Sequence, residues 1–379
     1  MKISFVSTAR YPTEKAYGVT IEGSCSAANR LGHVSNIITI GESGLDNAGN
    51  QIIGINSRLL KSIGIIARRR KSTLITKIAF LFLSIFLAFR LKKMANNAET
   101  QILWARDILL VYVLKLLDYN GVVVLEIHHV PMGLNAKFLQ QISKSPLIAI
   151  TTLTHSHKVA LEKNIKSKQI IICPMAVPTN FSMSSAKKFT SDKLVMGYIG
   201  KATSSGHNNG LDHLFRLIKK LSETKIKFSF QFVGLEPFAI SRFEREIKKL
   251  LIPIELVSFI GNIKHSEVSE YLHKMDIGFV PYPETSYNQA RFPIKIPEYA
   301  AARCAIFATD TRAHREILNE SMATFYSPDD LSSLLEEIIC FTKNDPKFCR
   351  RISVAVEWAK DFTYERRVTA VLSALGSNI

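Results

Sequence analysis

The feature that most constrains this chain is a strand–helix alternation that runs, stops and starts again. "KISFVSTA" (2–9) reads as a strand buried on both faces, and "TIEGSCSAANRLG" (20–32) as a helix stopped by Gly32. Strand-like runs follow at "VSNIITI" (34–40), "QILWAR" (101–106), "VVVLEIHH" (122–129), "LIAITTL" (147–153) and "QIIICP" (169–174), with helical patterns between several of them. A polar, Ser- and Lys-rich break, "PTNFSMSSAKKFTSDK" (178–193), interrupts the series. It resumes with "KLVMGYIG" (193–200), "SFQFVG" (229–234), "IELVSFIG" (254–261), "DIGFVPYP" (276–283), "CAIFATD" (304–310) and "ATFYSP" (323–328). Strands alternating with helices form parallel sheets covered on both faces. The expectation is therefore α/β: two consecutive doubly wound, Rossmann-like domains facing a cleft. Their expected bounds are 1–180 and 190–360, with a C-terminal helix over 361–379 packing back toward the first domain. Sheets of this kind take ligands at the carboxyl ends of their strands, where the strand order reverses.

The composition agrees. A chain of 379 residues is too long for one ordinary domain, and 47% hydrophobic residues can fill two cores. The cysteines Cys25, Cys173, Cys304, Cys340 and Cys349 are odd in number and scattered, which disfavours a disulfide scaffold or zinc site and fits a reducing compartment. "MKISFVSTARYP" does not read as a signal peptide, because its apolar run is only a strand long.

The net charge of +17 is concentrated. Residues 51–100 hold ten Lys or Arg against one acid, Glu99, so this stretch supplies +9. Inside it "IAFLFLSIFLAF" (78–89) has no charge. A bilayer-spanning helix needs about 20 apolar residues, so this run is too short to cross. Basic flanks around a short apolar helix suit a segment, about 58–93, lying on an anionic membrane surface. A core helix under a solvated basic lid is the competing reading. A nucleic-acid surface fits less well, because the cations flank a greasy run and not interleaved stacking residues. No nucleic-acid partner is expected.

Several stretches carry possible chemistry. "VMGYIG" ends at Gly200, and Lys201 with "ATSSGHNNG" leads into a helix. A strand, a glycine-rich loop and a helix start make an anion site, to which Lys201 adds a point charge; a plain βα turn is the alternative. In "RFPIKIPEYAAARC" (291–304), Lys295 and Glu298 stand one turn apart on one helix face. Lys295 can reach a phosphate, and Glu298 can accept two hydrogen bonds from a ribose diol. An ordinary first-turn acid or salt bridge is the bland reading. "LEIHHVP" places His128 and His129 at a strand end, where one can meet a sugar hydroxyl or move a proton. In "YPTEKAYGVTIEG", Gly18 would let backbone approach a phosphate closely, or simply serve the turn.

Taken in succession, these blocks resemble the retaining GT-B glycosyltransferases of family 4, the glycosyl transferases group 1. The likeness covers nearly the whole chain. It is carried by "YPTEKAYG…GSCSAANRLGH", "LWARD", "LEIHH", "THSHKVAL" with "IICPMAVPTNF", "GYIGK" before "GLDHLFRLI", "FIGNIKHSEVSEYLHKMDIGFVPY" and "PIKIPEYAAARCAIFATDTRAHREIL". The last two blocks are the most specific. The resemblance implies that a nucleoside-diphosphate sugar binds mainly to the C-terminal domain. Glu298 would hold the ribose. The loop ending at Pro293 and Ile294 would offer backbone amides to the diphosphate, after Gly200. Lys201 would be a phosphate-binding cation, and Ile263 would sit beside the base. From the N-terminal domain, Gly18 would approach the diphosphate and His128 would lie near the transferred sugar.

The chain departs from the family pattern. Ala290 replaces a Glu eight positions before Glu298, Asn209 in "NNG" replaces a phosphate-binding cation, and "ARC" replaces a small-Gly step at 302–304. Lys295 or Arg291 can compensate, since both flank the same loop. The resemblance implies transfer of a sugar to a hydroxyl with retention at the anomeric carbon. Lys201, Lys295 and backbone amides would neutralise the departing diphosphate. No cofactor and no metal are expected, because no DxD-like pair stands at a suitable strand end. The basic, apolar segment points to a lipid-linked or membrane-surface glycan acceptor, such as a growing bacterial polysaccharide. The expected location is cytoplasmic, peripheral at the inner face of the membrane. The rivals are a catalytically impaired binding protein of the same fold and a sugar-nucleotide epimerase.

Overall fold

The computed structural model describes residues 1–9, 11–13, 16–55, 74–95, 101–165, 170–178, 181, 193–204, 206–289 and 291–376. The chain divides into two compact units, Met1–Met175 with Tyr364–Ile379, and Ala176–Thr363.

The first unit is built on eight strands: β1 (Lys2–Ser7), β2 (Val34–Thr39), β3 (Gly44–Leu45), β4 (Gln51–Gly54), β5 (Gln101–Ala105), β6 (Val122–Glu126), β7 (Ile148–Thr152) and β8 (Ile170–Ile172). They lie in the order β3-β4-β2-β1-β5-β6-β7-β8. All neighbours run parallel except β3 with β4. β1 and β6 are buried along almost their whole length, as strands covered by helices on both faces are, and the apolar run Val122–Leu125 of β6 fits that burial. The order reverses at β1 and β5, so their carboxyl ends flank the ligand crevice of this sheet. Asp107, just past β5, caps the helix Ile108–Leu116 by accepting from the amides of Leu109 (2.9 Å) and Leu110 (3.2 Å).

The second unit has β9 (Leu194–Ile199), a short hairpin of β10 (Thr203–Ser204) and β11 (His207–Asn208), β12 (Phe228–Val233), β13 (Val257–Ile260), β14 (Ile277–Val280), β15 (Ala305–Thr309) and β16 (Ala323–Tyr326). Its main sheet is wholly parallel, in the order β13-β12-β9-β14-β15-β16. The amphipathic helix Asp212–Ser222 buries Leu214, Phe215, Leu217, Ile218 and Leu221 on one face. Phe215 meets Phe232 and Phe243 with ring centroids 5.1 and 4.8 Å apart, in a core rich in phenylalanine. The order reverses at β9 and β14. These strands pair only at Met196 with Ile277 and Gly197 with Gly278. Beyond that they part, and Tyr299 fills the opening. Its hydroxyl accepts from the Ile199 amide (3.1 Å) and donates to the Phe279 carbonyl (3.3 Å), and its ring lies against Gly278.

The expectation of two Rossmann-like domains holds, with local differences. The strand read at 122–129 ends at Glu126, so His128 and His129 lie in the loop beyond it. The helix read at 20–32 begins at Ala16. The helix Lys295–Ala301 starts after Pro293 and carries Pro297 in its first turn, where the missing N–H has no helical partner to lose. The apolar run at 78–89 lies in one helix, Leu74–Ala95. The helix is divided between core and surface. Leu83, Leu87, Ala88 and Leu91 enter the core, while Ile75, Ile78, Phe82, Phe86 and Phe89 form an exposed stripe at helical spacing. Residues 58–73 of the expected basic segment lie outside the described residues. No helix among the described residues is long and apolar enough to cross a membrane.

Candidate functional site

In the second unit the site residues gather at the switch point. Gly200 leaves β9 with φ +136°, a conformation that favours glycine. A Cβ there would lie 3.2 Å from the Lys295 ammonium nitrogen. The glycine therefore lets the loop pass over that cation, which brings Lys201, the next residue, to the same turn.

Lys295 is only 6% exposed. Its ammonium donates to the Tyr282 hydroxyl and lies 3.5 Å from the Tyr198 hydroxyl. It also stands 4.5 Å from the centroid of each ring. Burial lowers the Lys295 pKa, and Tyr282 opposes that shift. Burial would raise Tyr282, but Lys295 and Arg291 outweigh it and hold that phenol below its ordinary value. Tyr198 is pushed well above the ordinary range by burial. Lys295 is thus a desolvated cation held by aromatic faces and a polarised phenol, with no carboxylate as its ion-pair partner among the described residues.

Glu298, one turn further along the helix, takes a different partner. Its Oε1 lies 3.1 Å from Nε2 of His265, which opens the short 3-10 helix His265–Glu267 just after the loop that carries Ile263. Lys295 and Glu298 are therefore not the ordinary first-turn salt bridge. Glu298 is buried beside the loop expected to meet a base. Pro293 has no amide hydrogen, so the donors at this helix start are Ile294 and Lys295 themselves.

Arg291 reaches across to the 201–209 loop. Its guanidinium donates to Asn209 Oδ1 (3.3 Å) and Ser204 Oγ (3.1 Å) and lies 4.6 Å from the Tyr282 ring centroid. Asn209 Nδ2 in turn donates to the Lys201 carbonyl (2.7 Å). Asn209, where the sequence lacks a cation, is thus beside a guanidinium delivered from the other strand end. Lys201 is exposed and has no ion-pair partner among the described residues. Ala290 lies outside the described residues. Lys201, Arg291 and Lys295 together make a positively charged turn, suited to a diphosphate.

The first unit holds Gly18 and His128, and the structure describes them apart from the residues above. The place of a Cβ at Gly18 is filled by the Thr13 carbonyl oxygen, 2.3 Å away. Chain packing alone accounts for that glycine. His128 sits against Glu126, at the carboxyl end of β6. Burial and the nearby Arg106 push its pKa down to about 4, so the ring is neutral at pH 7. Sequence reasoning passed over Glu126, Arg106, His265, Tyr198 and Tyr282. The signal for Glu126 was present: an acid closing the apolar strand "VVVLE" needs buried cations. No group of three or more potential metal ligands occurs among the described residues.

Comparison with known proteins finds likenesses centred on this region. Residues 193–344 match the family described as Glycosyl transferases group 1. The matched stretch lies entirely within the second unit. A Bacillus subtilis (strain 168) protein, TuaH, which carries the name of a teichuronic acid biosynthesis glycosyltransferase, is 33% identical over 117 residues. That match spans 31% of this chain and 27% of the relative, so the chain covers about a quarter of that relative's length. Sucrose-phosphate synthase (tll1590) from Thermosynechococcus elongatus superposes with a TM-score of 0.76 at 12% identity, over 99% of this chain and 98% of that one. Anabaena Alr3699/HepE in complex with UDP superposes with a TM-score of 0.71 at 12% identity, over the whole of both chains, and has also been solved with UDP-glucose. At such identities these likenesses show the fold, and the chain has the GT-B fold.

Proposed function

We propose that this chain is a glycosyltransferase moving a sugar from a nucleoside-diphosphate sugar to a hydroxyl of a lipid-linked or membrane-surface glycan, with retention of anomeric configuration. The observation that carries the reading is Lys295, desolvated at the switch point beside Gly200 without a carboxylate partner, with Arg291 on the same loop. A buried cation left without an anion is costly, and a bound diphosphate supplies that anion. UDP and UDP-glucose in the HepE structures support a nucleotide-sugar donor. The relative named for teichuronic acid biosynthesis supports a polysaccharide acceptor.

In this mechanism Lys295, Arg291 and Lys201 stabilise charge that grows on the diphosphate as the glycosidic bond breaks. Glu298, oriented by His265, accepts hydrogen bonds from the ribose, and Ile263 packs beside the base. The departing phosphate oxygen takes the acceptor proton on the same face, so retention needs no carboxylate nucleophile. Transfer proceeds without a metal, the cations standing in its place. The exposed apolar stripe of Leu74–Ala95, with exposed Arg90 and Lys93 at its end, rests on an anionic membrane surface and keeps the enzyme peripheral at the cytoplasmic face. The test is a nucleotide-sugar panel read by thermal shift and then by transfer in the presence of a chelator. Stabilisation by one diphosphate sugar, with turnover, is expected. No stabilisation by any nucleotide would favour an impaired relative with another ligand.

A further inference from the structure

Glu126 is 3% exposed and is bound from four sides. Trp104 Nε1 donates to its Oε2 (2.9 Å), and Arg106 Nη2 donates to its Oε1 (2.6 Å). His128 Nε2 shares Oε1, and Arg367 Nη2 pairs with Oε2. Arg367 comes from the C-terminal helix, Tyr364–Gly376. That helix is fastened to the helix Ala16–Arg30 by Arg30 with Glu365 (2.6 Å) and by the Tyr364 ring lying against Gly23. The other edge of the Arg367 guanidinium donates to the Cys173 carbonyl (2.8 Å) and to the Pro174 carbonyl. Nη1 is thus fixed by two carbonyls while Nη2 meets the carboxylate as an ion pair, and at 5% exposure Arg367 is as buried as the acid it meets.

The chemistry of this cluster fixes a proton. Burial alone would raise the Glu126 pKa, but Arg106 and Arg367 hold it well below the ordinary value, so it is ionised. An ionised carboxylate only accepts hydrogen bonds. His128 Nε2 must therefore donate, and because the ring is neutral its Nδ1 is left as an acceptor.

We propose that Arg367 is a positioning residue: by clamping the Glu126 carboxylate it locks His128 in the Nε2–H tautomer, presenting Nδ1 to a sugar hydroxyl. Use of that nitrogen in catalysis rests on the glycosyl-transfer reading, whereas the tautomer lock does not. The C-terminal helix then completes the half-site at the end of β6. Without Arg367, Oε2 keeps only Trp104. The carboxylate can turn, and the ring loses its single proton location.

The test uses full-length protein with ¹⁵N-labelled histidine. Long-range ¹H–¹⁵N spectra report each ring's tautomer, with His128→Gln assigning the signal. Wild type should show one tautomer, Nε2–H, between pH 6 and 8. Arg367→Met should show a tautomer mixture, with kcat reduced about tenfold or more and the donor KM within about twofold. Arg367→Lys, which keeps the charge, should recover most of both. Glu365→Gln loosens the same helix without touching Glu126 and should change neither. Wild-type ring shifts and kcat in Arg367→Met would overturn the proposal. Should that variant not fold, Glu126→Gln decides. A mixture of tautomers supports the lock, and an unchanged Nε2–H signal overturns it. The spectra need no substrate, so absence of transfer with every donor would count against the proposed function and leave this result standing.

Discussion

Replacing Lys295 by Met separates a functional cation from a structural one. Methionine has nearly the length of the lysine stem and no charge. The fold loses one hydrogen bond to Tyr282 and two cation–π contacts at 4.5 Å, of about 0.5–2 kcal/mol each. It is relieved of desolvating an ammonium, a penalty of several kcal/mol for a buried ion. These terms oppose each other, so stability should stay within about 2 kcal/mol of wild type, or about 4–8 °C in Tm for a unit of this size. Catalysis has no such offset. A unit charge 4 Å from a phosphate oxygen is worth about 4 kcal/mol at an effective dielectric constant near 20. Removing a preorganised charge stabiliser costs about 10²–10³ in kcat. The assay is steady-state release of the nucleoside diphosphate from the donor that the panel identifies, beside a thermal melt. Turnover within threefold of wild type, or a melt lowered by more than about 15 °C, would refute the reasoning, since either makes Lys295 a structural residue.

Further outcomes follow from the same geometry. Arg291→Ala removes charge-assisted contacts worth about 1.5–3 kcal/mol, so donor kcat/KM should fall about 10–150-fold. Asn209→Lys in that background puts a cation on the neighbouring side chain and should recover at least part of the loss; no recovery would show that the Arg291 position, not its charge, matters. His128, His213 and His314 are each held near pKa 4, first by burial, against about 6.5 unfolded. Their rings stay neutral when folded while the unfolded chain takes up protons below pH 6.5. Stability present above pH 6.5 should therefore be lost as pH falls toward 4, by up to about 3 kcal/mol per ring. Urea melts at pH 7, 6 and 5 check this, and an equal midpoint throughout would contradict it. Phe82→Ser with Phe89→Ser removes about 1.5–3 kcal/mol of insertion per ring, so flotation with anionic vesicles should drop at least tenfold. Unchanged flotation, or none for wild type, would remove the stripe from membrane contact.

The architecture was legible because apolar runs of strand length alternate with amphipathic helices, and helices covering both faces leave such a chain few arrangements besides two parallel sheets. The strand ending in "VMGYIG" and the helix carrying Lys295 and Glu298 could be placed beside loops at strand carboxyl ends from pattern alone, but the strand order that makes this the switch point could not. The partners of those residues could not. Tyr282 and Tyr198 sit in apolar strand-end runs where a phenol and a core ring look alike, and only the parting of β9 from β14 turns them toward Lys295. The sequence shows Arg291 flanking the loop, but its reach to Asn209, 82 positions away, depends on tertiary structure. The pattern of "VVVLEIHH" puts His128 on a strand because it continues the β alternation. The ladder stops at Glu126, where the carboxylate turns to its buried cations. Arg367, from a helix almost 240 positions downstream, leaves no local trace near the residue it serves.

Calorimetry with a nucleoside, its monophosphate and its diphosphate tests the account most directly. If Lys295, Arg291 and Lys201 grip a diphosphate, affinity should rise with each phosphate, and the rise should vanish in Lys295→Met with Arg291→Ala while nucleoside binding is kept. A diphosphate that binds no tighter than the bare nucleoside, or equally well to wild type and the double variant, would contradict it.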